Sequence, residues 1–408
     1  MTETASNEEN RFEFGYEVMG PILAECCHTL QEFLANDKPG PEHAVALYCA
    51  RGGLTIRRAL ALYRSKTGQP VSVDEDDLMI SRLAASRLAL VTNAESARPL
   101  LDLEFDGRTC ADVARVLSGL EPPGDNAWTR PYRLDRLLGL LDRSDGMALR
   151  ASMLEQAELL RDHFANLAGP ARIVYLIDTG VFGSIAHFLS AGIPDVELRS
   201  ALLFRANYKR SKGLLFPPGI GLISSESHYQ PWQVRTASRL YWPFIESFFE
   251  PDLPSVRTYS REGGSIVSNL EVRNWQDALS PRPQSLLAGA FAYLESLQPG
   301  SLNDIPRNAL HAWRSLRVRI VWPSRRDVTL LGVPPRSLDF GFDDVVTFND
   351  PDKPEDRGLP ARINRIRNSL WPEGEVRRQF PVLAGPVLTF MELWRLASAL
   401  LRNLVGRN

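Results

Sequence analysis

The chain has 408 residues, which at about 150 residues per domain indicates two or three domains. Hydrophobic residues make up 44% and charged residues 24%, which are ordinary values for a globular protein and exclude a collagen-like, coiled-coil or wholly disordered chain. With 47 basic against 49 acidic residues there is no global positive charge, so nucleic acid is not an expected partner.

The cysteines and the N-terminus indicate a reduced, cytoplasmic protein. The four cysteines have no C-x-x-C spacing, and no apolar secretion signal begins the chain. No run of 18 apolar residues is present, so a transmembrane helix is not expected.

The first elements follow a polar segment, 1–10, which is expected to be a loose tail. Apolar residues at helical spacing predict a core-facing helix over 14–34. The short apolar run at 44–50 predicts a buried strand of a parallel sheet, followed by a glycine turn at Arg51 and then a second helix.

The same order of strand, turn and helix recurs along the chain. Further strands are predicted at 77–80, 172–177 and 197–204, and helices follow the first two of these. Strands that alternate with helices predict an open α/β sheet, in which ligands bind beyond the carboxyl ends of the strands.

Two domains are expected from this order. An α/β core over 11–230 carries a helical insertion at about 93–170, which is expected to wall one side of the site. Residues 231–408 are expected to form a mainly helical region that ends in an amphipathic helix. Its predicted helices cover 236–250, 283–297 and 306–322.

The turn after the third strand is the first candidate site. It consists of Asp178, Thr179, Gly180, Val181, Phe182, Gly183 and Ser184. Backbone N–H groups of such a turn and of the following helix N-terminus bind phosphate, and the Thr179 and Ser184 hydroxyls can donate to it. Asp178 can accept from the hydroxyls of a sugar. The alternative is that the turn only connects two elements.

A second anion site is predicted at the end of the first strand. Arg51 offers a cation there, and the backbone amides of Gly52 and Gly53 can donate to the same anion. Two such turns at neighbouring strand ends predict a substrate with phosphates at both ends, as in phosphoribosyl pyrophosphate.

A resemblance to a known family rests on several short motifs in order. The segment CARGGL at 49–54 is similar to the pyrophosphate loop of phosphoribosyltransferases, and VYLIDTGVFGS at 174–184 is similar to their ribose-phosphate loop. With Gly15-Tyr16, Gly20-Pro21, Ser81-Arg82, the segment 245–256 and Asp339-Phe340-Gly341, the chain resembles the phosphoribosyltransferase-type ribofuranosyltransferases of bacterial polysaccharide biosynthesis. The resemblance covers about residues 14–345.

The resemblance implies a phosphoribosyltransferase-like fold and a glycosyltransferase. A 5-phosphoribosyl group would pass from phosphoribosyl pyrophosphate to a sugar hydroxyl of a lipid-linked glycan of an O-antigen or capsule. A separate phosphatase would then remove the 5-phosphate, because no DxDxT-like motif precedes Gly15. The chain departs from nucleotide-forming relatives, since Ile177 stands where they carry a second acid before the loop.

The expected catalytic groups are Arg51, Asp178 and Glu246. Arg51 and Mg²⁺, held mainly by substrate oxygens and indirectly by Asp178, would stabilise the departing pyrophosphate. Glu246 would accept the proton of the attacking hydroxyl, unless it is only an exposed helix residue. Arg82 would bind pyrophosphate or acceptor, unless it forms only a surface ion pair.

Aromatic and terminal segments leave alternatives open. Trp232, Tyr241 and Trp242 can stack on sugar rings or belong to the core. The amphipathic segment 381–408 can bind the inner membrane face peripherally, or pack on its own domain or a twin subunit. Two other functions are weighed against glycosyl transfer: a nucleobase phosphoribosyltransferase and a non-catalytic module that binds phosphoribosyl pyrophosphate.

Overall fold

The computed structural model describes most of the chain. The described residues are 10–36, 44–205, 217–226, 228–271, 274–333, 336–337, 340–342, 345–346 and 358–405. Residues 1–9 of the predicted N-terminal tail and Asp339 lie outside them, whereas Asn10 already belongs to a helix.

A parallel sheet forms the centre of the molecule. Its strands are β1 (Ala44–Cys49), β2 (Asp74–Leu78), β3 (Ile173–Asp178), β4 (Glu197–Phe204) and β5 (Gly219–Ser224). They lie in the order β2-β1-β3-β4-β5, and every neighbouring pair is parallel. The predicted open α/β sheet is therefore confirmed. The chain moves outward in opposite directions from β1 and β3, which makes the gap between them the topological switch point of the sheet.

Helices cover both faces of this sheet. In the first half they are α1 (Gly20–Asn36, continuous with a π-helical turn at Gly15–Met19), α2 (Gly52–Thr67), α3 (Arg82–Glu104), α4 (Cys110–Ser118), α5 (Leu134–Leu141), α6 (Met147–Ala168) and α7 (Ser184–Gly192). In the second half they are α8 (Trp242–Phe249), α9 (Leu286–Glu295), α10 (Ile305–Val321), α11 (Arg325–Leu330), α12 (Leu359–Asn368), α13 (Pro372–Gln379) and α14 (Ala384–Val405). Short 3₁₀ helices lie at Val234–Tyr241, Trp275–Leu279 and Pro299–Asp304.

Alternate residues of the central strands enter two separate cores. Val45 and Leu47 of β1 pack with α3 to α7, whereas Ala46 and Tyr48 pack with α1, α2 and α8 to α10. Successive side chains of a strand point to opposite faces, so each central strand must be apolar on both sides. This requirement explains why β1 reads as a continuous apolar run.

The predicted helices between β2 and β3 are present as α4, α5 and α6. Thr109 begins α4 with a capping box, in which its hydroxyl accepts from the backbone N–H of Asp112 and the Asp112 carboxylate accepts from the Thr109 backbone N–H. This region packs on one face of the sheet as part of its core.

Two features of the strands differ from the expectation. The strand predicted at 77–80 instead covers Asp74–Leu78, because β2 is an edge strand in which Asp74 and Asp76 are exposed, while Met79 and Ile80 enter the core after it ends. The edge strand β5 was not predicted, since its glycines are unusual in strands. Gly219 is required there, because a Cβ would lie 2.0 Å from the Ser200 carbonyl oxygen of β4.

Two antiparallel pairs lie outside the main sheet. The hairpin of β6 (Tyr259–Glu262) and β7 (Ser265–Ser268) was not predicted, and β8 (Arg336–Ser337) pairs with β9 (Val345–Val346). None of the helices in the described residues combines the length and apolarity that a membrane span requires.

Candidate functional site

The turn between β1 and α2 brings two loops into contact. The Ala50–Arg51 peptide bond is cis, and Gly52 and Gly53 begin α2. A Cβ on Gly52 would lie 2.3 Å from Cγ2 of Thr179, and one on Gly53 would lie 2.7 Å from the Ile177 carbonyl oxygen. Both glycines are therefore needed for the close approach of this turn to the end of β3.

The loop after β3 leads directly into the N-terminus of α7. Gly183 precedes this helix with φ of 64°, a left-handed conformation that glycine adopts without steric strain. Thr179 and Ser184 are both buried. The first backbone N–H groups of α7 have no acceptor within their own helix, which gives this end of the loop a preference for anions.

Asp178 ends β3 at the floor of the site. Burial raises the pKa of its carboxyl group from 3.8 to about 6, and the repulsion of Glu250 adds to this. Backbone N–H groups of Gly180 and Thr179 donate to the carboxylate, and together with the positive charge of Arg82 they oppose the increase. The carboxyl group thus titrates close to neutral pH and already accepts from two amides of the loop.

A third helix begins at the same edge, after β2. Ser81 caps α3 by accepting from the backbone N–H of Ala84 at 3.2 Å, and its hydroxyl donates to the Val256 carbonyl oxygen at 2.6 Å. Arg82 follows this cap, with its guanidinium 3.8 Å from the Glu104 carboxylate and 5.8 Å from the ring centre of Phe340. Helix α3 is thereby fixed to the extended segment that follows α8.

One face of α8 forms the opposite wall. Trp242 and Glu246 lie four residues apart on this helix, and Glu250 follows at the same spacing at its C-terminal end, so all three face the cavity. The Arg51 guanidinium donates to the Leu253 carbonyl oxygen at 2.8 Å and to the Glu250 carboxylate at 3.2 Å. The cation of the β1 turn is therefore held by the segment that follows α8.

These elements enclose a cavity of about 560 Å³, within the range of about 300–1,000 Å³ typical of small-molecule sites. It lies at the carboxyl ends of β1, β2 and β3. The predicted residues that line it are Arg51, Arg82, Glu246 and all seven of 178–184. Gly52 and Gly53 are buried and do not line it.

Two expectations about the surroundings of the site differ from the structure, one wholly and one in part. None of the residues from 93 to 170 lines the cavity, so the helical insertion does not wall the site, because it covers a face of the sheet instead. Of the three aromatic candidates, Trp242 lines the cavity, Tyr241 is buried in the core and Trp232 is exposed and not part of the lining.

Several lining residues were not predicted as site residues. Glu250, Arg257 and Leu370 come from segments far from the two loops in sequence. In the sequence, the spacing of four residues already indicated that Glu250 would lie on the same side of the helix as Glu246. Arg257 and Leu370 lie in segments without a motif, and only the tertiary fold brings them to the cavity.

The charges of the cavity are balanced. Three arginines, Arg51, Arg82 and Arg257, lie with the carboxyl groups of Asp178, Glu246 and Glu250. No three of the described His, Cys, Asp and Glu residues converge closely enough to hold a metal ion by themselves. The arrangement can bind a ligand that carries both anionic groups and hydroxyls, with any divalent cation bound partly by the ligand.

A comparison with protein-family models finds no match to the chain, and a comparison with curated protein sequences finds none either.

Proposed function

We propose that the protein transfers a 5-phosphoribosyl group from phosphoribosyl pyrophosphate to a sugar hydroxyl of a lipid-linked glycan. The observation that carries this proposal is that the Arg51 turn and the 178–184 loop line one cavity at the switch point between β1 and β3. A donor with a phosphate at each end of a pentose fits two anion-binding turns on adjacent strands. Helix N-termini after both strands favour the two anionic groups.

The 178–184 loop would hold the ribose 5-phosphate. The N-terminus of α7 and the hydroxyls of Thr179 and Ser184 supply the donors. Asp178, with a pKa of about 6, is mostly ionised at pH 7.5 and can accept from the ribose hydroxyls. The two amides that donate to its carboxylate fix its orientation and leave its remaining lone pairs for the sugar.

The Arg51 turn would hold the pyrophosphate. Arg51 now donates to Glu250 and to the Leu253 carbonyl oxygen, so the donor would have to replace part of this pairing. A pyrophosphate carries more negative charge than one carboxylate and can accept from the guanidinium in bidentate geometry. Arg82, at the N-terminus of α3, would neutralise negative charge on the side of the pyrophosphate that faces away from Arg51.

Mg²⁺ fits this site as a cation shared with the donor. Mg²⁺ is commonly bound through one or two carboxylates together with substrate phosphates, and the cavity offers the carboxylates of Asp178, Glu246 and Glu250. When bound, the ion would neutralise charge on the departing pyrophosphate. Asp178 would contact the ion, directly or through water.

The acceptor would enter from the α8 side. Its hydroxyl oxygen forms a bond to the anomeric carbon of ribose as the bond from that carbon to pyrophosphate breaks, and pyrophosphate leaves with the electron pair. The hydroxyl proton passes to the Glu246 carboxylate, and the configuration inverts to a β-ribofuranoside 5-phosphate. Trp242, on the same face of α8, offers a ring on which an acceptor sugar can stack.

Calorimetry with phosphoribosyl pyrophosphate and Mg²⁺ tests the donor site. We expect binding by the wild type and at least tenfold weaker binding by Arg51→Gln, because the cation of the turn is lost. Arg58→Gln is the matched control, since Arg58 lies on α2, is exposed and donates to the Ser280 hydroxyl outside the cavity. The absence of heat from the wild type at millimolar donor would refute the proposal.

Release of pyrophosphate then identifies the acceptor. Release that requires a lipid-linked glycan and falls at least a hundredfold in Glu246→Gln supports glycosyl transfer. Release with free adenine, guanine or uracil would replace it with nucleobase phosphoribosyl transfer. Binding without turnover with any acceptor would indicate a non-catalytic module.

A further inference from the structure

The terminal helix α14 has an apolar face that the rest of the described chain leaves uncovered. The side chains of Phe390, Trp394 and Leu401 are 68%, 67% and 62% exposed. Leu393 and Leu400, beside them on the helix, are 59% and 50% exposed. Residues of this size are seldom so exposed together on a monomer, and contiguous apolar patches usually mark a site of interaction.

The opposite face of α14 is already occupied. Ala384 and Leu388 pack on Val376 of α13. Glu392 accepts hydrogen bonds from the Tyr229 hydroxyl at 2.5 Å and from the Arg317 guanidinium at 2.9 Å. These contacts fix the rotation of the helix about its axis, so its exposed face cannot turn inward without breaking a buried charge network.

The exposed residues have the spacing of a helix-pairing seam. From Val387 onward, one row of them follows at intervals of three, four, three and four residues, as in the heptad repeat of paired helices. The seam consists of Val387, Phe390, Trp394, Ala397 and Leu401. No charged residue interrupts it. A partner helix can therefore lie along it for about four turns, at 1.5 Å per residue.

We infer that this seam binds the same seam of a second copy of the chain in a two-fold symmetric dimer. Phe390 and Trp394, each about two-thirds exposed, by themselves offer about 200–300 Å² of the roughly 800 Å² that each partner contributes to a standard interface. An uncharged surface is complementary to itself, as an isologous interface requires.

A membrane surface fits the same face less well. Helices that lie on membranes carry many lysines and arginines on their polar face. Of the charged side chains described on α14, Glu392 is bonded to Arg317 and Arg395 is paired with the buried Glu373, which leaves Arg402 as the exposed cation.

Sedimentation velocity of the full-length chain from 1 to 100 μM tests the inference. We expect the wild type to sediment at twice the 45.7 kDa mass of one chain, and Phe390→Glu and Trp394→Glu to sediment as monomers with unchanged circular dichroism. Val71→Glu is the matched control, because Val71 is 66% exposed in the loop between α2 and β2, and this variant should remain dimeric.

Two outcomes would overturn the inference. A wild type that stays monomeric to 100 μM has no such interface, and dimers that persist in both seam variants must form elsewhere. Flotation with vesicles of 70% phosphatidylcholine and 30% phosphatidylglycerol tests whether a membrane surface, instead of a second copy, binds this face. Vesicle binding by a monomeric wild type that Trp394→Glu abolishes would assign the face to a membrane.

Discussion

Replacing Asp178 by asparagine should stabilise the protein at alkaline pH. The raised pKa of the Asp178 carboxyl group means that its ionised form is less stable in the folded chain than in the unfolded chain. Asparagine keeps the shape and one acceptor for the amides of Gly180 and Thr179 but removes the buried charge. If Asp178 is kept for binding and not for folding, its removal should raise the free energy of unfolding while it abolishes transfer.

The size of the effect follows from the shift in pKa. A change from 3.8 to about 6 corresponds to about 3 kcal/mol, at about 1.4 kcal/mol per unit. Well below pH 3.8 the carboxyl group is protonated in both the folded and the unfolded chain, so it contributes nothing to the free energy of unfolding. As the pH rises through about 4 to 6, only the unfolded chain releases the proton readily, so the folded state loses stability. The full loss of about 3 kcal/mol in the free energy of unfolding is present above about pH 7.

Urea unfolding at pH 8 and pH 5 measures this difference. We expect Asp178→Asn to exceed the wild type by about 3 kcal/mol at pH 8 and by roughly half of that at pH 5. Asp106→Asn is the control, because Asp106 is exposed in the turn after α3, and it should change stability little at either pH. If the variant is less stable than the wild type, or is stabilised by the same amount at both pH values, the explanation from the Asp178 charge is wrong.

Three further substitutions test the packing and the charges of the site. Gly52→Ala should lower the free energy of unfolding by about 1–3 kcal/mol, because its Cβ would meet Thr179 at 2.3 Å, and Thr179→Ala in the same chain should recover part of this loss. Glu250→Gln should strengthen the binding of inorganic pyrophosphate about fivefold in calorimetry, because Arg51 no longer pairs with a carboxylate. Ser81→Ala should cost about 1–3 kcal/mol in urea unfolding, because α3 loses both its cap and its hydrogen bond to the segment after α8.

Two of these substitutions have a control in the chain. Gly139→Ala, in open space on α5, should be neutral or slightly stabilising, so an equal loss there would show that helical glycine in general is responsible. Weaker pyrophosphate binding by Glu250→Gln would contradict the competition between Glu250 and the ligand. Ser285→Ala removes only a cap, from α9, and should cost less than Ser81→Ala.

The local order of elements could be predicted because it depends on short-range patterns. The apolar run of β1 and the glycines after it are visible in the sequence, and so is the acid followed by two glycines after β3. A helical insertion was likewise predicted between β2 and β3, where α4, α5 and α6 lie. These signals arise within one turn or one strand, where neighbouring residues decide the backbone conformation.

Edge strands and non-local contacts were harder to predict. β2 carries alternating exposed acids and β5 carries glycines, and neither has the apolar run of a central strand. Their pairing depends on neighbours β1 and β4, which lie elsewhere in the sequence. The same limit applies to Arg257 and Leu370, which reach the cavity only through the fold.

Patterns along the chain were enough to predict the alternation of strands with helices and the two turns that end β1 and β3. The folded arrangement was needed to show that these turns share a cavity, that Arg51 is paired with Glu250 and that the insertion covers a face of the sheet. This division arises because backbone conformation is set mainly by residues close in sequence. The neighbours of a side chain and its electrostatic environment are set by residues that folding brings together, here from as far apart as Arg51 and Glu250.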